Sequence, residues 1–145
     1  MIVSELKIGY FPKMKNSERE ELKTSQKAYQ VLLPFYNDIV DYREFSYLIC
    51  LNRGNKIIGV YKLGEGGLSG VVIDPKAVFQ AALLANAHAI ILSHNHPSGQ
   101  LRPSDQDIDL TRKIKQIGEL MDLTLLDHII ITSEGYYSFG DQGLV

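Results

Sequence analysis

Ala89-Ile90-Ile91-Leu92-Ser93-His94-Asn95-His96-Pro97-Ser98-Gly99 is the stretch whose local structure organises the rest of the chain. Ala89 to Ser93 is short, apolar and bounded by polar residues and a proline, which predicts a buried strand. Side chains at i and i+2 of an extended segment share a face, so His94 and His96 project together if the extended path continues through them. Pro97-Ser98-Gly99-Gln100 is turn chemistry and releases the chain from the strand. Pro103 then precedes a helix expected over 104–122. Leu110, Ile114, Ile117 and Met121 recur on it at helical spacing, the apolar stripe of an amphipathic helix. Two backward steps of three along that stripe reach Asp107 and then Ser104.

An acid in line with a buried stripe needs a partner, because an unpaired buried carboxylate is costly. Two imidazoles and one carboxylate are the three protein ligands of a catalytic zinc site whose fourth position is left for water. His94, His96 and Asp107 are therefore the candidate metal ligands. Ser104 and Asp107 equally fit a capping box, in which the serine caps the helix and the acid three residues on bonds back. Capping does not account for two histidines at the neighbouring strand end, and it is compatible with a second task for Ser104.

The run His94-Asn95-His96-Pro97-Ser98-Gly99, followed by Pro103-Ser104 and Asp107, resembles the RadC-like branch of the JAMM (JAB/MPN+) metalloproteases. Further blocks are similar to that branch. They are Glu44-Phe45 leading into Leu48-Ile49-Cys50-Leu51-Asn52, the Gly66-Gly67 turn, Asp74-Pro75, Asp127-His128-Ile129-Ile130 and Tyr136-Tyr137-Ser138-Phe139. The resemblance implies a three-layer α/β/α, cytidine-deaminase-like architecture with a central mixed sheet. It implies one zinc per chain and hydrolysis of an amide, peptide or isopeptide bond. The sequence holds eight glutamates and by itself does not choose a general base among them. The resemblance assigns that role to Glu44, and to Ser104 a hydrogen bond to the developing oxyanion. The resemblance runs from about Glu44 to Leu144, and one domain is expected over 1–145, with an N-terminal strand, loop and helix in 1–40 and the catalytic core in 41–145.

Outward from the central stretch, residues 2–10 alternate well enough to predict a strand, and Lys13 to Lys23 reads as a loop. Thr24 or Ser25 is placed to cap a helix through Gln26 to Leu33, limited by Pro34. Strands are expected over 44–51, 56–63, 71–73, 124–132 and 136–139, with a helix from Asp74-Pro75. Gly64 to Gly70 lacks the strand–loop–helix context of a phosphate cradle and reads as a strand connection. Val78, Ala81, Ala82, Ala85 and His88 share a helical stripe, which predicts a packed or interfacial His88. Asp127 and His128 are expected on opposite faces of their strand, with His128 in a structural role or in support of the ligands. Asp105 and Asp109 are expected to complement the helix N-terminus.

With 145 residues the chain is long enough for one domain with its own core. Its one cysteine, Cys50, lies in an apolar strand, cannot form an intramolecular disulfide and reads as a small buried hydrophobe. No secretory h-region and no membrane span are visible, which sets a cytoplasmic expectation. Net charge is −2 without a dense basic run, which argues against nucleic acid as a partner of the isolated chain. Three other readings stand beside the hydrolase: a non-catalytic MPN-type interaction scaffold, a zinc deaminase, and a DNA-repair-associated RadC-like protein or nuclease. A deaminase needs a Pro-Cys-x-x-Cys segment that a single cysteine cannot supply. Oligomeric state and substrate identity are open.

Overall fold

The computed structural model describes residues 1–66 and 73–145. Along the chain run α1 (Ser25–Tyr36), β1 (Phe45–Leu51), β2 (Ile57–Glu65), α2 (Pro75–Leu84), β3 (Ala89–Asn95), α3 (Asp105–Leu120), β4 (Thr124–Thr132) and β5 (Gly135–Ser138). The strands form one mixed sheet in the order β2-β1-β3-β4-β5. Among the described residues only the β3–β4 pair is parallel, and α3 makes that crossover. Every residue of β1 and β3 is buried. Their near-continuous apolar sequence follows from having both sheet faces covered.

Burial divides the structure into three layers. On one face, Phe45, Tyr47, Ile49, Leu51, Ile91, Ile129 and Ile131 pack against Ala28, Leu32 and Tyr36 of α1. On the other, Leu48, Cys50, Ile90, Leu92 and Leu125 pack against Val78, Phe79 and Ala82 of α2 and Ile114 of α3. The architecture is the expected α/β/α sandwich. Cys50 is buried as expected, and that burial pushes its thiol up to about 11.

β4 carries an irregularity on which the site depends. Ile90 pairs with Leu125, but Ile91 pairs with Asp127, so Leu126 is an extra residue. Such a bulge exchanges the faces of all later side chains. Leu125 faces α2 and α3, whereas Ile129 faces α1 despite an even separation. His128 is the register partner of Leu92 and is thereby turned toward the α3 side.

Several local expectations are corrected. Residues 2–10 form no strand, and Ile2, Val3, Leu6 and Ile8 are exposed. The edge they would need at the start of β2 is already taken: Ile57 N–H donates to Glu20 O at 2.8 Å, and Leu22 N–H donates to Asn55 O at 2.8 Å. The loop expected over 13–23 therefore holds a bridge at Glu21, after a single 3-10 turn at Asn16–Glu18. Thr24 caps α1 by accepting from Lys27 N–H, but Pro34 lies inside that helix. Tyr36 holds the last turn in place, fully buried with its hydroxyl 2.9 Å from Ser93 Oγ. Its burial offsets the roughly 3 kcal/mol that an interior proline costs. His88 is exposed beyond the end of α2, because Ala85 caps that helix and Asn86 turns left-handed at φ 52°. Residues 71 and 72 of the expected strand and 67–70 of the loop lie outside the described residues, whereas Gly64 and Glu65 continue β2 and Ile73 is buried outside any strand.

The buried line of α3 runs through Thr111, Ile114 and Gly118, with Leu110 and Ile117 half-buried beside it. Met121 lies past the helix end and is exposed. Gly118 is there because the chain doubles back over it: Leu123 N–H donates to Gly118 O at 2.8 Å, and a Cβ on Gly118 would collide with the Leu123 carbonyl oxygen. Gly118→Ala is expected to lower stability by about 1–3 kcal/mol, the usual cost of overpacking. Chemical denaturation checks this, and an unchanged midpoint would show that the α3–β4 turn yields freely.

Candidate metal centre

β3 is extended through Asn95, so His94 continues the face of Ile90 and Leu92, and His96 follows at the strand end. The first turn of α3 brings Asp107 to the same point. One ligand atom from each of His94, His96 and Asp107 lies within 4.8 Å of the others. His94 Nε2 is 3.0 Å from His96 Nε2. It is 3.3 Å from Asp107 Oδ1, and His96 Nε2 is 3.3 Å from Asp107 Oδ2. His94 is buried, and His96 and Asp107 are partly exposed.

These donors fit zinc. Ligands about 2.0–2.1 Å from a tetrahedral ion stand roughly 3.3 Å from one another, close to the spacing found here. The tautomer of His96 fits too. Its Nδ1 is 2.8 Å from Gln100 O, and a carbonyl only accepts, so Nδ1 carries the proton. In the neutral ring the Nε2 lone pair then faces the centre. Burial disfavours a charged His96 ring. The hydrogen bonds to Asp107 and Gln100 O and the charges of Asp107 and Glu44 nevertheless raise its pKa above the ordinary imidazole value. Burial likewise opposes ionisation of Asp107, but His94 and His96 outweigh it and hold the carboxyl well below the usual carboxylate range.

Capping and ligation turn out to be one device. Ser104 N–H donates to Asp107 Oδ2 at 2.9 Å, and Asp107 N–H donates to Ser104 Oγ at 3.1 Å. The capping box thus fixes the carboxylate rotamer that faces the two histidines. Of the other two acids, Asp105 is exposed in the first turn as expected, whereas Asp109 lies beyond that turn and pairs at the surface with Arg112. Beside the histidines lies an open pocket of about 290 Å³, lined among others by Glu44, His96, Ser98 and Ser104. The structure therefore brings all five candidate residues to one place.

Two contributors, Asn95 and Thr111, were not assigned from the sequence, and His128 takes the supporting place expected of it. Asn95 points away from its histidine neighbours. It accepts from Phe45 N–H at 2.7 Å and donates to the carbonyls of Val40 and Arg43, which ties down the backbone carrying Glu44. Thr111 lies one helical turn after Asp107, a spacing that could have flagged it. His128 Nε2 lies 2.8 Å from His94 Nδ1, a contact that depends on the bulge at Leu126 and leaves no sequence signal. Burial and the neighbouring His94 push the pKa of His128 well below the ordinary value. Among the described residues no helix is long and apolar enough to cross a membrane.

Residues 22–144 match the family model of the RadC-like JAB domain. A UPF0758 protein of Flavobacterium johnsoniae is 40% identical over 125 residues, covering 86% of this chain and 54% of that protein. A UPF0758 protein of Porphyromonas gingivalis is 39% identical over 135 residues, covering 92% of this chain and 59% of that protein. The chain thus spans a little over half the length of these relatives. The family match covers the sheet, the helices and every residue of the His-His-Asp centre, and the chain belongs to the RadC-like JAB domain family.

Proposed function

We propose that this chain is a zinc-dependent hydrolase that cleaves an amide bond of a peptide, an isopeptide or another amide substrate. The observation that carries this reading is the convergence of His94, His96 and Asp107 beside a pocket that also presents Glu44 and Ser104. When bound, zinc supplies Lewis acidity toward a carbonyl oxygen and toward water. Glu44 takes the proton of the attacking water and delivers it to the leaving amine. The Ser104 hydroxyl donates a hydrogen bond to the developing oxyanion. Its capping bond uses the oxygen as an acceptor, which leaves the hydroxyl proton for the substrate. Gln100 O holds the His96 tautomer, and Asn95 holds the segment from which Glu44 projects.

A single buried cysteine suits a reducing, cytoplasmic setting. Nucleic acid is not the substrate in this reading, since the sequence carries a net charge of −2 and no dense basic run to neutralise phosphates. The test is metal content of the purified chain together with a metal-dependent screen of amide substrates. We expect about one zinc per chain. We also expect cleavage of a peptide or isopeptide probe that a chelator abolishes and zinc restores. Zinc-loaded protein that binds a protein partner but hydrolyses no probe would favour the interaction scaffold. Tight DNA binding at physiological salt would favour the repair-associated reading.

A further inference from the structure

His128 is fully buried, and its ring is contacted on one face and at both nitrogens. Phe139 stacks on it at a centroid distance of 4.7 Å and 11° between planes. Its Nδ1 is 2.6 Å from Thr111 Oγ1 and its Nε2 is 2.8 Å from His94 Nδ1. Thr111 Oγ1 is also 2.6 Å from the main-chain carbonyl of Asp107.

Proton counting gives this chain one direction. A carbonyl accepts only, and a hydroxyl has one proton, so Thr111 donates to Asp107 O. Thr111 must then accept from His128 Nδ1–H. His128 meets a hydroxyl and an imidazole and no anion, and in full burial its ring is neutral. Its Nε2 is therefore unprotonated and accepts from His94 Nδ1–H. The neutral His94 ring is left with its lone pair on Nε2, which faces His96 and Asp107. Each histidine ligand thus has its own tautomer lock. His96 uses the Gln100 carbonyl, and His94 uses a two-residue relay that ends on the backbone of the third ligand.

We propose that Thr111 and His128 are positioning residues that fix His94 as its Nδ1–H tautomer, so that Nε2 is presented to the metal. The relay also links ligands on two different elements, since it runs from Asp107 on α3 through β4 to His94 on β3. This rests on the metal-site reading above and adds to it residues that bind neither metal nor substrate.

Nitrogen-15 NMR of the imidazoles in the zinc-loaded chain, with zinc affinity measured by chelator competition, tests the relay. The parent is expected to show the His128 and His94 protons on Nδ1. Thr111→Val keeps the shape but removes the hydroxyl, and His128→Phe keeps the stacked ring but removes the acceptor. Each is expected to weaken zinc binding by about 10- to 100-fold, the range for outer partners of metal ligands. Thr111→Ser, which restores the hydroxyl, is expected to restore affinity and tautomer. If His128→Phe fails to fold, the Thr111→Val and Thr111→Ser pair decides. A proton on Nε2 of His128 in the parent, or parent-like affinity in Thr111→Val, overturns the relay while leaving the metal site standing. A parent chain that binds no zinc overturns both.

Discussion

Alanine at His94, His96 or Asp107 is expected to strip the chain of its zinc. Each substitution removes one of three protein donors from a centre whose ligand atoms lie within 4.8 Å of one another. The loss of affinity should exceed the roughly 10- to 100-fold typical of an outer partner, because the donor itself is gone. Zinc content after dialysis against a weak chelator reads this directly, and undiminished zinc in all three variants would refute the assignment. His88→Ala is the control, since His88 is exposed and outside the centre.

The same centre sets a pH dependence. The raised pKa of His96 means that, without metal, the ring holds a proton that the unfolded chain releases more readily. That contribution to stability is complete below the unfolded imidazole value, near about 6.5, and is lost as pH rises through the raised folded value. Zinc needs the unprotonated nitrogen, so its uptake releases protons and its apparent affinity rises with pH. The increase in melting temperature on adding zinc should therefore grow between about pH 6 and pH 8. An increment that shrinks across that interval would count against His96 as a ligand.

Glu44→Gln is expected to retain zinc and lose most amide hydrolysis. The amide keeps the shape and a hydrogen-bonding side chain but removes the proton carrier. The expected loss is on the order of 10²–10⁴-fold, the range for general acid–base groups. Ser104→Ala should also keep metal and lose rate, through weaker oxyanion stabilisation. It removes the N-cap of α3 as well, and a cap is worth about 1 kcal/mol, so melting curves must accompany the kinetics. Parent-rate hydrolysis by zinc-loaded Glu44→Gln would remove Glu44 as the base and reopen the scaffold reading.

The strand at 89–93, which the structure extends to Asn95, the α3 stripe and the spacing of His94, His96, Ser104 and Asp107 were legible in the sequence. Periodicity places side chains on faces, and local turn chemistry ends elements where it must. The capping box was legible for the same reason, being a contact between residues three apart. Glu44 was reached only through family resemblance, since nothing local to residue 44 separates it from other glutamates. At two places where local rules misread the chain, a distant group had intervened. The strand expected at 2–10 found the start of the β2 edge occupied by Glu20 and Leu22, and α1 passed Pro34 because Tyr36 reaches Ser93. By itself, then, the sequence determined the α/β class, the order of the elements around the site and the residue types that face it. Only the tertiary structure decided that the bulge at Leu126 turns His128 onto the His94 side, and that Asn95 reaches across to hold the segment bearing Glu44. Both depend on strand register and on contacts between residues far apart in the chain, which no periodicity within one segment encodes.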